Sequence, residues 1–178
     1  IIRSLISKMR NDNRQLNVTD YGTAEGEGTS RKLSVQYIAK NYSSSGYKAC
    51  MLNRLSSYFR PAQILEMGTS LGIGTTALAL GFPQSKVITL EGSAEIASIA
   101  KENFIFNGFK NIEIITGEFG LSLPMSLEKL SSIDLVYIDG NHRSEPTLNY
   151  FNACLKKANA DTIFIFDDIH WSHDMEAA

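Results

Sequence analysis

The sequence predicts an α/β fold built on a doubly wound, mostly parallel sheet. From residue 62 onward, five short apolar runs alternate with stretches of helical periodicity. A glycine-rich turn follows the first run, and acidic residues follow all five. Strands that alternate with helices are joined by right-handed crossovers, so we expect a parallel sheet covered by helices on both faces.

The composition fits one globular domain in a reducing compartment. The 178 residues are 43% hydrophobic and 20% charged, with a net charge of -2 and no block of like charge, which excludes a nucleic-acid-binding stripe. No apolar run reaches the ~20 residues needed to span a bilayer. Cys50 and Cys154 lie far apart, outside any metal-type spacing. We therefore predict a cytoplasmic protein without a nucleic acid or membrane partner.

Residues 1–60 are predicted to form an N-terminal helical extension, ahead of a sheet domain over residues 61–178. Helical spacing indicates three helices in the extension, over residues 1–10, 35–41 and 47–59. The polar, glycine-rich segment 20–30 predicts a mobile loop, either a lid or a plain connection.

The sheet domain is predicted to contain five strands and four helices. The predicted strands cover residues 63–67, 86–90, 112–116, 133–138 and 162–166. The predicted helices cover residues 71–80, 94–107, 125–130 and 145–158. Because the sequence lacks an initiator Met and stops within a helical pattern, we expect a truncated C-terminus.

The turn after the first strand reads Glu66-Met67-Gly68-Thr69-Ser70-Leu71-Gly72-Ile73-Gly74. Its glycines allow a tight turn and close approach of a ligand to the main chain. A dinucleotide turn reads G-x-G-x-x-G and binds a pyrophosphate, whereas this turn reads G-x-x-x-G-x-G after Glu66. A carboxylate there would repel a pyrophosphate and could hold the ammonium of an amino-acid moiety. A turn without a ligand is the alternative.

Acidic residues also end the next two strands, where ligands of such sheets bind. Glu91 lies 23 residues after Gly68, the place for a carboxylate that accepts both hydroxyls of a ribose. Glu118 and Phe119 follow the third strand and could contact an adenine through its amino group and ring face. Solvated strand ends are the alternative for these residues.

The motifs at the strand ends are, in chain order, Glu66-x-Gly68-x-x-x-Gly72, Glu91, Asp139-Gly140-Asn141-His142 and Asp167-Asp168. Over residues 58–172 they resemble the class I S-adenosylmethionine-dependent methyltransferases, in the small-molecule O-methyltransferase branch of catechol and macrolide-sugar type. The resemblance implies a Rossmann-like sheet, S-adenosylmethionine as cofactor and methyl transfer to a small-molecule acceptor, with Asp139 beside the methyl group. The predicted cofactor-binding residues are Glu66, Gly68, Thr69, Ser70, Gly72, Glu91, Gly92, Ser93, Glu118, Phe119 and Asp139.

The resemblance also implies a divalent ion held by Asp139, Asp167 and Asp168. Three hard oxygen ligands favour Mg²⁺, with Mn²⁺ or Ca²⁺ as alternatives. The other interpretation of Asp167-Asp168 is a cap for the next helix.

Asp139 and His142 are the predicted catalytic residues. The ordinary pKa of histidine, about 6.5, allows it to take a proton from a hydroxyl at neutral pH. Catechol-type relatives place a Lys near this position, so a simple hydrogen bond from His142 to its own loop stays open. His170 and His173 are further candidates on the substrate side.

Two other classes of protein remain as alternatives. One is an NAD-dependent oxidoreductase, which the glycine spacing disfavours, and the other is a non-catalytic Rossmann-like binding module. The sequence leaves open the acceptor, transfer to oxygen or to nitrogen, and a homo-oligomeric state. Relatives continue after the fifth strand into an antiparallel hairpin that would form part of the substrate wall.

Overall fold

The computed structural model describes residues 1–21 and 28–178. The remaining part of the segment predicted as a mobile loop, residues 22–27, lies outside the described residues. The elements, in chain order, are α1 (Ile2–Arg10), β1 (Gln15–Asp20), β2 (Thr29–Ser34), α2 (Val35–Asn41), α3 (Gly46–Phe59), β3 (Gln63–Met67), α4 (Ile73–Gly81), β4 (Lys86–Glu91), α5 (Ala94–Phe106), β5 (Ile112–Thr116), α6 (Phe119–Glu128), β6 (Ile133–Ile138), α7 (Ser144–Leu155), β7 (Ala158–Phe166) and α8 (His173–Ala177).

A five-stranded parallel sheet in the order β5-β4-β3-β6-β7 forms the centre of the fold. The chain builds outward from β3 to β5 on one side and then returns to place β6 and β7 on the other. The strand order therefore reverses beside the carboxyl end of β3, which is where ligands of open α/β sheets bind. The predicted α/β fold with a parallel sheet is confirmed.

The central strands are apolar throughout because helices cover both faces of the sheet. Ile64 and Leu65 are adjacent and fully buried, yet they belong to different apolar clusters, one on each face. The cluster that contains Ile64 also includes Met9 of α1 and Val18 of β1. The N-terminal elements therefore share a core with one face of the sheet.

The N-terminal segment contains an antiparallel hairpin, β1–β2, that the sequence prediction of helices and a loop missed. The signal was an alternation in residues 16–19, in which Leu16 and Val18 are buried while Asn17 and Thr19 face outward. The backbone and side-chain amides of Asn17 donate to the carboxylate of Glu95 at 2.7 and 3.0 Å, which ties the hairpin to α5.

Two predicted helices differ in extent from the structure. Helix α6 begins at Phe119 rather than at residue 125, because the side chain of Glu118 caps it by accepting from the Gly120 amide at 2.7 Å. Pro124 within this helix hid the pattern, since proline usually breaks helices. Helix α7 ends at Leu155, three residues early, so β7 starts at Ala158.

The short helix α8 is capped by Ser172 and not by Asp167-Asp168, which removes the capping interpretation of that pair.

Candidate functional site

A cavity of about 330 Å³ lies over the carboxyl ends of the strands and is closed from above by the hairpin and the connection from α2 to α3. Most of the predicted site residues line it: Gly68, Thr69, Ser70, Glu91, Gly92, Glu118, Phe119, Asp139, His142 and Asp168. Four predicted residues do not line it, namely Glu66, Gly72, Ser93 and Asp167. The structure therefore gathers the strand-end motifs as expected, but places a few of them beneath the surface of the cavity.

The two glycines of the turn after β3 serve different contacts. Gly68 has φ +105°, and a Cβ atom there would lie 2.0 Å from the carbonyl oxygen of Asp139. Gly72 has φ +82°, and a Cβ atom there would meet the ring of Phe104 at 2.6 Å. Gly68 thus joins the ends of β3 and β6 beside the cavity, whereas Gly72 lets α4 pack against α5.

Glu66 is fully buried below the cavity and bonded to threonines. Its Oε2 accepts from the hydroxyl of Thr75 and, at 2.6 Å, from that of Thr89. Its Oε1 has no hydrogen-bond partner among the described residues. Burial, helped by the nearby charges of Asp139 and Glu91, raises the pKa of Glu66 to about 8, despite the threonine hydrogen bonds. Glu66 is therefore a neutral carboxylic acid at pH 7.

Thr69 connects this buried acid to the cavity. Its hydroxyl lies 2.6 Å from that of Thr89. Thr89 in turn is hydrogen-bonded to Glu66, so the three groups form one chain of hydrogen bonds. Thr69 lines the cavity, and hence Glu66 acts on it through two hydroxyls rather than by direct contact.

Glu91 is held by main-chain amides at the end of β4. Its Oε2 accepts from the Ser70 amide at 2.9 Å, and its Oε1 accepts from the Ser93 amide at 3.0 Å. Burial raises the pKa of Glu91 to about 7, while these backbone hydrogen bonds oppose the shift. Each carboxylate oxygen can accept a second hydrogen bond. The group is therefore oriented to receive a pair of neighbouring hydroxyls.

Asp139, at the end of β6, belongs to a cluster of charges of which Asp139 and Lys48 line the cavity. The single hydroxyl of Tyr137 lies between two carboxylates, 2.7 Å from Asp139 Oδ2 and 2.8 Å from Asp167 Oδ2. The ammonium of Lys48 forms an ion pair with Asp167 and lies 3.8 Å from Asp139 Oδ2.

The pKa values of the two carboxyl groups in this cluster are shifted in opposite directions. Burial, followed by repulsion from Asp167, raises the pKa of Asp139. Burial would also raise the pKa of Asp167, but hydrogen bonds from Lys48 and Tyr137 outweigh it and lower that pKa. Asp167 is therefore the ionised partner of Lys48.

His142 lies at the mouth of the cavity next to Asp168 and Trp171. Its Nε2 is 3.8 Å from Asp168 Oδ2, and its ring centroid is 5.4 Å from that of Trp171. Burial lowers the pKa of His142 below its usual value, against the opposing charges of Asp168 and Asp167. The imidazole is therefore neutral at pH 7 and able to accept a proton.

The three residues predicted to hold magnesium lie around Asp139, but Asp167 and Asp168 contact different partners. Asp167 accepts a hydrogen bond from Tyr137 and forms an ion pair with Lys48, whereas Asp168 lines the cavity and lies 3.8 Å from His142 Nε2. The group that could offer ligand atoms within 4.8 Å of one another, among the described residues, is Asp139, His142 and Asp168. Because an ammonium already lies beside Asp139 and Asp167, the predicted three-carboxylate arrangement does not fit a divalent ion.

His170 and His173 are placed outside the cavity. Their side chains are exposed, and both approach Glu176, at 2.9 and 3.8 Å. The structure therefore does not bring them to the acceptor side.

Several cavity residues were not singled out from the sequence. Tyr21 reaches over Gly92, where a Cβ atom would lie 2.8 Å from the tyrosine ring. Arg31, which also lines the cavity, lies over the ring of Tyr42, 5.5 Å from its centroid. These side chains come from the hairpin and from the α2–α3 connection, and no local motif marks them.

The switch point beside β3, the glycine turn and the oriented carboxylate at the end of β4 define a class I methyltransferase fold. The chain belongs to the methyltransferase domain family, whose sequence model matches residues 65–169, more than half of the chain. The resemblance predicted from the sequence is confirmed.

Two curated relatives and one solved structure are similar to this chain. Catechol O-methyltransferase B of Danio rerio is 30% identical over 96 residues, which are 52% of this chain and 36% of that protein. The O-methyltransferase hkm8 of Aspergillus hancockii is 31% identical over 124 residues, 66% of this chain and 48% of that protein. An O-methyltransferase of Bacillus cereus, solved in complex with SAH, is 28% identical with a TM-score of 0.66, covering 76% of this chain and 66% of that chain.

The chain spans less than half the length of these curated relatives. Within the part of the chain that the structure describes, no helix combines the length and apolar character required for crossing a membrane.

Proposed function

We propose that this chain is an S-adenosylmethionine-dependent methyltransferase that transfers a methyl group to a hydroxyl oxygen of a small-molecule acceptor. The observation that carries the proposal is the geometry of Glu91, whose two oxygens are oriented by the Ser70 and Ser93 amides. This carboxylate opens onto the same cavity as Gly68 and Asp139. The cofactor would supply an electrophilic methyl group on a cationic sulfur.

The chain's own residues account for each part of such a cofactor. Glu91 would accept the two ribose hydroxyls, and each charge-assisted hydrogen bond contributes about 1.5–3 kcal/mol. Phe119 offers a ring face to the adenine, held edge-to-face by Tyr150 at 5.8 Å. Asp139 lines the cavity beside Gly68, where the methyl-bearing sulfur would lie, with Asp167 and the ammonium of Lys48 next to it.

His142 supports transfer to oxygen. It lines the cavity near Asp139, and burial together with the charge of Lys48 lowers its pKa, so the imidazole is neutral at pH 7. A neutral imidazole can take the proton of an acceptor hydroxyl as the oxygen attacks the methyl carbon. Trp171 beside it provides an exposed aromatic surface on which an acceptor ring could lie.

Magnesium has no step in this proposal, since the ammonium of Lys48 pairs with Asp167 and lies 3.8 Å from Asp139 Oδ2, where an ion held by the three predicted carboxylates would bind. Positioning the acceptor oxygen in line with the methyl group and sulfur supplies the main rate enhancement, up to roughly 7–11 kcal/mol in favourable cases. The walls that would hold the acceptor come from the hairpin, the α2–α3 connection and Trp171.

Calorimetric titration with S-adenosylhomocysteine tests the cofactor assignment. We expect one site in the wild-type protein and an affinity at least about tenfold weaker in Glu91→Gln, because the neutral amide loses the charge-assisted hydrogen bonds. Glu113→Gln is the matched control, since Glu113 also lies on a strand but pairs with Lys129 at 2.6 Å away from the cavity. Folded wild-type protein that binds NADH tightly and shows no heat with S-adenosylhomocysteine would make the oxidoreductase class correct instead.

A further inference from the structure

Lys48 is a charged residue of the site to which neither the sequence motifs nor the family match assigns a role. It lies in the first turn of α3, where its backbone amide donates to the cap residue Ser45 at 3.2 Å. Its position is therefore fixed by the start of a helix. From there its side chain crosses to Asp139 and Asp167, which directly follow β6 and β7.

The ammonium of Lys48 meets the two carboxylates that share the Tyr137 hydroxyl. It forms an ion pair with Asp167 and is 3.8 Å from Asp139 Oδ2. One hydroxyl proton between two carboxylates cannot neutralise both of them. Two neighbouring carboxyl groups repel each other strongly unless a cation or a bound proton intervenes. Lys48 is the cation that the structure places there.

The pKa of Lys48 is shifted in the direction that keeps its ammonium charged. Burial disfavours its ammonium, but the hydrogen bond to Asp167 and the charges of Asp139 and Asp167 outweigh it and raise its pKa above the usual value. Lys48 is therefore a fixed cation rather than a base.

We infer that Lys48 is the built-in counter-cation of the Asp139–Asp167 pair, occupying the place where a divalent ion would otherwise bind and positioning Asp139 at the cavity. The role of Asp139 in methyl transfer rests on the proposed function. The pairing of Asp139 and Asp167 with Lys48 in place of a divalent ion does not. Removal of the lysine charge should then convert the pair, with the neighbouring Asp168, into a divalent-ion site.

Mn²⁺ binding, followed by the loss of the free-ion signal in electron paramagnetic resonance, tests this inference. We expect the wild-type protein and Lys48→Arg to bind Mn²⁺ weakly, and Lys48→Met to bind one ion at least about tenfold more tightly. Lys101→Met removes a lysine charge from the exposed face of α5 and should behave as the wild type. Equal Mn²⁺ affinity in the wild type and Lys48→Met would overturn the inference.

Thermal unfolding provides a second measurement that does not depend on activity. Lys48→Met should unfold at a lower temperature than Lys101→Met and regain the difference when MnCl₂ is added, while Lys48→Arg should need no ion. If Lys48→Met does not fold even with MnCl₂, measurements on the wild-type protein alone test the inference. Stoichiometric Mn²⁺ binding by the wild type, or loss of its S-adenosylhomocysteine binding in EDTA, would then contradict the inference.

The same calorimetry separates this inference from the proposed function. Absence of S-adenosylhomocysteine binding in the wild type would contradict the methyltransferase proposal. The Mn²⁺ result would still report on Lys48, because the carboxylate pair is present with or without the nucleoside.

Discussion

Gly68 and Asp139 touch through their backbones: a Cβ atom at Gly68 would lie 2.0 Å from the carbonyl oxygen of Asp139. This contact joins the carboxyl ends of β3 and β6, the two strands between which the sheet order reverses. The separation of the strand-end groups across the cavity depends on it, because neither backbone can move away without breaking the β3–β6 ladder.

Gly68→Ala tests how far the site depends on this contact. The substitution combines a backbone clash with a positive φ, so we expect a loss of at least about 2 kcal/mol in the free energy of unfolding. Gly108→Ala is the matched control, because Gly108 also has a positive φ but no atom within 4 Å of its Cβ position; its effect should stay near 1 kcal/mol. Urea unfolding measures both. Equal losses would show that φ strain alone accounts for the effect.

Glu66 should make stability depend on pH. Its folded pKa, about 8, lies above its ordinary value of 4.5, so the folded state binds the proton more tightly than the unfolded state. Its contribution is fully present below pH 4.5 and is lost as pH rises toward 8, by at most a few kcal/mol. Glu66→Gln is uncharged at every pH, so its unfolding free energy should fall less than that of the wild type between pH 5 and 8. Parallel curves for the two proteins would mean that Glu66 does not carry this dependence.

Tyr137→Phe removes the hydroxyl that two carboxylates share. We expect a loss of about 1–3 kcal/mol in the free energy of unfolding, because Asp139 and Asp167 lose a buried hydrogen-bond donor. Tyr37→Phe removes a hydroxyl from an exposed tyrosine of α2 and should be close to neutral. Chemical denaturation measures both variants, and a neutral Tyr137→Phe would show that Lys48 alone satisfies the pair.

His142→Gln should lower the rate constant for methyl transfer without lowering the affinity for the nucleoside. General-base residues contribute about 10²–10⁴ in rate, whereas Glu91 and Phe119, and not His142, hold the nucleoside in the proposed function. Single-turnover rates and S-adenosylhomocysteine affinity, measured on the same preparation, separate the two effects. An unchanged rate would leave His142 with only a hydrogen-bonding role in its loop.

Glu95→Ala should release the hairpin from α5. The carboxylate of Glu95 accepts two hydrogen bonds from Asn17, and Tyr21 of the same hairpin covers Gly92. We expect severalfold faster amide hydrogen exchange in β1 and β2. Glu102→Ala is the control, because Glu102 lies on the same helix and pairs with the exposed Arg14 instead. Equal exchange in both variants would show that apolar packing alone holds the hairpin.

The five strands could be predicted from the sequence because burial on both faces leaves a nearly continuous apolar run in each central strand. The strand ends could be located for the same reason, and Glu91, Asp139 and Asp168 therefore fall in the cavity as expected. The direction of each side chain could not be predicted. Asp167 and Asp168 are adjacent in sequence, but one faces Lys48 and the other faces His142.

Residues that act over long sequence distances were also beyond prediction. Lys48 and Asp167 are 119 residues apart, and no periodicity or motif relates them. The buried position of Glu66 could not be predicted either, because it depends on hydrogen bonds from the hydroxyls of Thr75 and Thr89. The spacing of the turn indicates where along the chain a carboxylate lies, but not which side chains surround it in the folded protein.

The two walls of the cavity have different sequence origins. Glu91, Phe119 and Asp139 fall within the stretch matched by the family model, whereas Tyr21 and Arg31 precede it. The wall formed by the first sixty residues therefore lies outside the stretch that the family model describes. Under the proposed function, the choice of molecule to be methylated would evolve by exchange of the first sixty residues, with the chemistry of the methyl donor left intact.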